Sequence, residues 1–177
     1  LVGISLEADN PQLTPLARGA DFYAYPRISP NGKSLCWIEW NHPNMPWDCT
    51  QLYCADNQIT LSNKNMVAGA DNNESIFQPQ WSPDNKLYYV SDRNNWWNIY
   101  SAESGIIIDM PAEFATPLWQ FGMSTYDFVD ANTIGCLWTQ HGVWHCGFVD
   151  ITKGTLTPVP CLYQSMQAAC CSSDGLF

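Results

Sequence analysis

Ser29-Pro30-Asn31-Gly32, Ser82-Pro83-Asp84-Asn85, Val129-Asp130-Ala131-Asn132 and Ser172-Ser173-Asp174-Gly175 are four versions of one tight polar turn. Each follows a short apolar stretch, and the first three lead into a second one. Their last residues stand 53, 47 and 43 positions apart. A period of about 40–50 residues, with a strand on either side of each turn, is the signature of propeller blades. The sequence therefore predicts an all-β chain: a partial β-propeller of about three four-stranded blades with a partial blade at either end.

Working outward from the turns, the blades fall at 1–17 (partial), 25–68, 77–110, 124–160 and 164–177 (partial). In the first partial blade Asn10-Pro11 supplies the turn. In the 25–68 blade the strands are expected near 25–28, 34–40, 50–56 and 59–67. Leu35-Cys36-Trp37-Ile38-Glu39-Trp40 is nearly continuous in apolar residues, as a strand covered on both faces should be. The fourth turn runs out at Phe177, and Met166–Cys171 reads as an open strand edge. On this reading the chain is a piece of a larger protein and is expected to self-associate through unpaired edges.

Composition narrows the function classes. Hydrophobic residues make up 46% and aromatic residues 14% of the 177 positions, which excludes disorder. The net charge is −10 with seven Lys and Arg, so the basic footprint needed for nucleic acid or anionic membranes is missing. No run of 18 apolar residues marks a transmembrane helix. Of eight cysteines, none forms a Cys-x-x-Cys pair; Cys36, Cys54, Cys136 and Cys146 sit in apolar strand runs as small hydrophobes. A Cys36–Cys54 disulfide is the other reading. Cysteine usage points to a reducing, cytoplasmic compartment.

Strand order carries a functional consequence. In an antiparallel four-stranded blade with strands A to D, the A–B and C–D turns share one face of the disc and the B–C and D–A loops the other. The A–B turns here are short and generic. The B–C loops are Asn41-His42-Pro43-Asn44-Met45-Pro46-Trp47-Asp48-Cys49, Asp92-Arg93-Asn94-Asn95-Trp96 and Gln140-His141-Gly142. The D–A connections add Asp21-Phe22-Tyr23, Glu113-Phe114 and Trp119-Gln120-Phe121-Gly122. Aromatic, proline and amide residues thus gather on one face, where a rigid scaffold can position them for binding. Alternatively, these aromatics fill the gaps between blades.

Several of these stretches carry a family resemblance. Asp21-Phe22-Tyr23-x-x-Pro26-Arg27-x-Ser29-Pro30-x-Gly32-Lys33 and His42-Pro43-Asn44-Met45-Pro46-Trp47-Asp48 resemble the N-terminal propeller of prolyl oligopeptidase-family serine peptidases, in particular the acylaminoacyl-peptidase and dipeptidyl-aminopeptidase branch. Phe77-Gln78-Pro79-x-Trp81-Ser82-Pro83-Asp84, Ser91-Asp92-Arg93-x-x-Trp96-Trp97-Asn98-Ile99-Tyr100 and Phe121-Gly122-Met123-Ser124-Thr125-Tyr126 extend the resemblance across most of 13–165. Cys49 departs from it, standing where a Gly is expected after Trp-Asp. The resemblance implies a C-terminal α/β-hydrolase domain as partner, holding a Ser-Asp-His triad on a Gly-x-Ser-x-Gly elbow. This chain lacks the elbow: Gly122-Met123-Ser124-Thr125-Tyr126 has Tyr at the second Gly position. No catalytic residue and no cofactor is assigned to it.

The resemblance also implies a peptide substrate, gated and partly bound by propeller loops. The candidate substrate-facing or interdomain residues are His42, Asn44, Met45, Trp47, Asp48, Asp92, Arg93, Trp96, Glu113 and Phe114. Glu113 is the candidate for holding a peptide's free amine. A metal at His141 and His145 is disfavoured: four residues of strand span about 13 Å, too far to share one ion. A TolB-like propeller scaffold for a protein partner is the alternative from another functional class.

Overall fold

A computed structural model of the chain describes residues 1–5, 11–57, 61–172 and 175–176. Asn10 of the first turn, residue 59 where a strand is expected to begin, Ser173 and Asp174 of the last turn, and Phe177 lie outside the described residues. β1 (Val2–Ile4) and β2 (Leu13–Pro15) form a hairpin. β3 (Phe22–Ile28), β4 (Ser34–Trp40), β5 (Gln51–Asp56) and β6 (Ser62–Ala68) form an antiparallel sheet in chain order. So do β7 (Ile76–Trp81), β8 (Leu87–Ser91), β9 (Asn98–Ser101) and β10 (Gly105–Ile106), and then β11 (Tyr126–Asp130), β12 (Thr133–Gln140), β13 (Val143–Asp150) and β14 (Thr155–Val159). β15 (Cys171–Ser172) pairs with β16 (Gly175–Leu176).

The repeated turn has a local cause. Ser29 Oγ donates to Asn31 Oδ1 (2.8 Å) and accepts the Ser34 N–H (2.9 Å); Ser82 Oγ likewise bonds Asp84 Oδ1 and accepts the Lys86 N–H (3.0 Å). The turn's last residue is left-handed, with φ of 72° at Gly32 and 67° at Asn85, which selects Gly or Asn. The turn before β12 has no such serine. There Asp130 Oδ1 accepts the Asn132 N–H (2.7 Å) and closes a shorter loop.

The first strands of neighbouring sheets meet, and side chains join them. Tyr25 Oη donates to Met123 O (2.7 Å), and Tyr126 Oη to Gln78 O (2.9 Å). The buried Gln78 amide donates to Tyr126 O (2.6 Å) and Ser124 Oγ (2.9 Å) and accepts the Thr125 N–H (2.7 Å). Asp127 takes the Gln80 amide (2.5 Å) and the Cys171 N–H (2.9 Å). β3 and β7 both break register just before a proline, at Tyr25 (φ 50°) and Gln78 (φ 45°). Pro26 and Pro79 have no N–H to place in the ladder, so the bulge sits where a bond is already missing.

The main core is continuous across the three four-stranded sheets, with Ile38, Leu52, Phe77, Ile99, Tyr126 and Ile134 enclosed in it. Trp37, Leu35 and Ala55 form a second cluster with Ala17 towards the β1–β2 hairpin. All eight cysteines are free; Cys36 lies opposite Cys54 in the β4–β5 ladder without bonding to it. One expectation needs correction. Met166–Cys170 is not a strand edge: after β14, residues 160–170 run without a strand until β15. The segment crosses from the outer edge of its sheet towards the inner strand β11, and just ahead of that strand the Ala169 N–H bonds Ser124 O (3.0 Å). Among the described residues no helix is long and apolar enough to cross a membrane.

Candidate loop-face site

The hydrogen bonds between loops show which ones share a face. The Asn31 N–H donates to Asn85 Oδ1 (2.8 Å), so neighbouring A–B turns meet, and Asn57 Nδ2 brings a C–D turn onto Gly32 O (2.9 Å). On the opposite face each B–C loop is tied to a D–A connection. The His42 N–H donates to Asp21 Oδ2 (3.0 Å), Ser75 Oγ to Pro46 O (2.9 Å), Asn94 Nδ2 to Asp109 Oδ1 (3.1 Å) and Gln140 Nε2 to Pro111 O (3.4 Å).

Most of the charged candidates are engaged within this lacing. Asp48 Oδ2 accepts the Met45 N–H (2.8 Å) and closes its own loop, which includes a cis His42–Pro43 bond. Asp92 Oδ1 accepts the Ser75 N–H (2.6 Å), and burial raises its pKa. Arg93 pairs with the buried Glu74 (2.9 Å), donates to Tyr89 Oη (2.9 Å) and lies 4.6 Å over the Tyr100 ring. Glu74 also accepts from the Gly69 N–H (2.7 Å) and Ser91 Oγ. Glu113 Oε2 accepts the Trp97 N–H (2.8 Å), while its backbone bridges Thr139 on β12. Its other carboxylate oxygen has no hydrogen bond among the described residues.

The apolar candidates divide. Phe114 is fully enclosed and stacks on Trp138 at 5.8 Å. The Phe114 N–H donates to Trp97 O (2.7 Å). His42, Met45 and the half-buried Asn44 line a cavity of about 410 Å³ with Phe22, Trp40 and Phe121. Trp47 packs on Trp119 at 4.3 Å between ring centroids. Trp96 is 40% exposed on the next B–C loop, away from this cavity's lining.

A second cavity, also about 410 Å³, lies beyond Trp119 and Phe121, bounded by Met123, Trp144 and residues 165–168. Trp119 and Phe121 therefore stand as a ridge between two hollows, 74% and 76% exposed. Neither was among the candidate site residues, although both sit in a D–A loop read as part of the functional face. Trp40 and Trp144 were also missed; they lie within or beside apolar strand runs, where sequence alone suggests core. His145 stacks on Trp138 at 5.5 Å. Among the described residues no group of three or more His, Cys, Asp or Glu is placed to hold a metal.

Comparison with known proteins agrees with this architecture. No family model and no curated protein matches the chain. A puromycin hydrolase matches 88% of this chain and 24% of its own, with a TM-score of 0.78 and 27% identity. A puromycin-hydrolyzing peptidase of Mycobacterium tuberculosis matches 86% of this chain and 24% of its own, with a TM-score of 0.78 and 34% identity. TolB from Acinetobacter baumannii shares the fold over 89% of this chain and 39% of its own, with a TM-score of 0.52 and 16% identity. The fold and its loop face thus define the chain as part of a β-propeller. Its loop motifs and these neighbours place it, more particularly, as a propeller segment of the prolyl oligopeptidase family. It spans about a quarter of the length of the peptidases it matches.

Proposed function

We propose that this chain is the substrate-facing cap of a serine peptidase. Its loop face gates access to a C-terminal α/β-hydrolase domain and supplies apolar contacts to peptide substrates. The observation that carries the reading is the Trp119–Phe121 ridge, exposed between two hollows on the B–C and D–A face. Concave apolar surface with a few polar groups is the ordinary form of a ligand site. The puromycin-hydrolysing neighbours support hydrolysis as the activity of the parent.

The division of labour follows from the residues. The nucleophile, its base and the oxyanion hole come from the hydrolase domain, since the described residues of this chain do not assemble them. The propeller shapes who enters. The free oxygen of Glu113, anchored through its other oxygen to Trp97, is the proposed partner for a peptide's ammonium group. Acylaminoacyl or dipeptidyl substrates, as in the branch the motifs resemble, are the proposed class.

The test uses the full-length parent. Replacing Trp119 and Phe121 together by Ser should lower kcat/KM for a tripeptide anilide by about tenfold, the scale of one lost aromatic contact, and leave a small acetate ester unchanged. An equal fall for both substrates, or no fall for either, overturns the reading. The TolB-like alternative predicts a parent without hydrolase activity and a loop face blocked by a protein partner.

A further inference from the structure

The hollow on the side of the 41–49 loop is walled by rings and carries no charge. Phe22, Trp40, His42, Trp119 and Phe121 supply five aromatic rings around about 410 Å³, with Met45 beside them. None of the described residues that line it is Asp, Glu, Lys or Arg, in a chain of net charge −10. The acids closest in sequence spend carboxylate oxygens on the loop backbone: Asp21 Oδ2 accepts the His42 N–H (3.0 Å) and Asp48 Oδ2 the Met45 N–H (2.8 Å). The second hollow differs, because Thr116, Ser124 and Gln167 put hydroxyls and an amide into its wall.

The rings are held before any ligand arrives, which lowers the ordering cost of binding. Phe22 stacks on the buried Trp40 (5.2 Å, 17° between planes), and His42 meets Phe22 edge to face (4.9 Å, 76°). Trp47 packs on Trp119 at 4.3 Å and ties the 41–49 loop to the D–A connection on the other side. An uncharged hollow rejects an ammonium or a carboxylate, since burying either one unpaired costs more than apolar contact returns. It admits an aliphatic side chain, but rings favour a ring: offset and edge-to-face contacts add about two- to tenfold in affinity beyond the area buried.

We propose that this hollow is the pocket for an aromatic side chain of the peptide substrate, so that the propeller selects peptides carrying Phe, Tyr or Trp at the position that reaches it. The inference rests on the cap reading, which makes the ligand a substrate, and adds the chemical class of the side chain bound. Met45 is the specificity-determining residue most open to change: it is exposed, it lines the hollow, and the hydrogen bond that shapes its loop comes from its backbone N–H and not from its side chain.

The five methionines provide the readout. Met45 lines this hollow, Met123 and Met166 line the second, and Met66 and Met110 line neither. In the full chain with carbon-13-labelled methionine methyls, N-acetyl-phenylalaninamide should displace the Met45 signal saturably, at about 1 mM for a ligand of this size, and leave Met66 and Met110 in place. N-acetyl-leucinamide should compete about two- to tenfold more weakly, and N-acetyl-lysinamide should not compete. In the parent, kcat/KM for tripeptide anilides should rise about tenfold or more from Ala to Phe at one position, and Met45→Glu should remove the rise. An unmoved Met45 signal, displacement of Met123 and Met166 in its place, equal competition by the lysine amide, or an aromatic preference that survives Met45→Glu overturns the proposal. The Met45 signal reads binding alone. It can therefore fail while the ridge variant still lowers peptide hydrolysis, and the cap reading then stands without this one.

Discussion

A primary amide enclosed between two sheets must find partners for its oxygen and both hydrogens, and Gln78 finds them across the junction. Its oxygen holds the Thr125 N–H and its nitrogen reaches Ser124 Oγ and Tyr126 O. Gln78→Leu keeps much of the volume but strands the Thr125 N–H in the interior and leaves Tyr126 O with only the Ser124 hydroxyl (3.2 Å). It should cost about 2–4 kcal/mol in urea unfolding, and Gln78→Glu should not restore the loss. Asp92 gives a second prediction with a definite sign. Burial raises its folded pKa above the unfolded value of about 3.9. The folded state therefore prefers the protonated form, so its share of stability is complete below the unfolded pKa and is lost as pH rises through the folded one. Asp92→Asn can still accept from the Ser75 N–H without carrying a charge. Denaturation at about pH 3, 5 and 7 should show the variant gaining on the parent as pH rises, then levelling off. Asp84 and Asp150 titrate in the opposite sense, held low by hydrogen bonds from Lys86 and Lys153, but they are common to both proteins and cancel.

Among the elements, the ladder of β13 against β14 depends on one absent side chain. A Cβ added to Gly147 would lie 2.4 Å from Thr157 O and 3.0 Å from Pro158 Cα. Gly147→Ala should push β14 outward, cost about 1–3 kcal/mol, and speed amide exchange along Thr155–Val159 more than along β11. A glycine in an apolar strand run suggests such an approach, but the partner that crowds it is visible only in the structure. The strands themselves were legible, because Leu35–Trp40 or Thr133–Gln140 can hardly be anything else beside a turn of the Ser-Pro-Asn-Gly type. Exposure was not. Phe114 and Phe121 lie seven residues apart on one connection and have the same side chain, yet one is fully enclosed and the other 76% exposed. Packing into the main core against Trp138 encloses the first, and no local pattern encodes that contact. Arg93 shows a related limit: its charge was legible, but its hold by Glu74 and two tyrosine rings, distant in sequence or on other strands, was not.

At the scale of the whole molecule, backbone ladders run within each sheet, while the described junctions between sheets rest on packing, on side chains such as Tyr25, Gln78 and Asp127, and on a few isolated backbone bonds such as the Glu113–Thr139 bridge. That division has a mechanical meaning. Each sheet is a meander whose first strand begins and whose last strand ends on the same face. Tension applied between the two ends therefore opens its ladders one rung at a time instead of shearing them together. Such a chain should be soft. Stretched between handles at residues 1 and 177, it should lengthen in separate steps at low force. The step for Phe22–Ala68 should release about 160 Å of chain at roughly 3.4 Å per residue. A single step covering all three large sheets would mean that the side-chain junctions bind them into one mechanical body. Steps sheet by sheet would mean that a propeller can give way at one blade while its neighbours keep their shape.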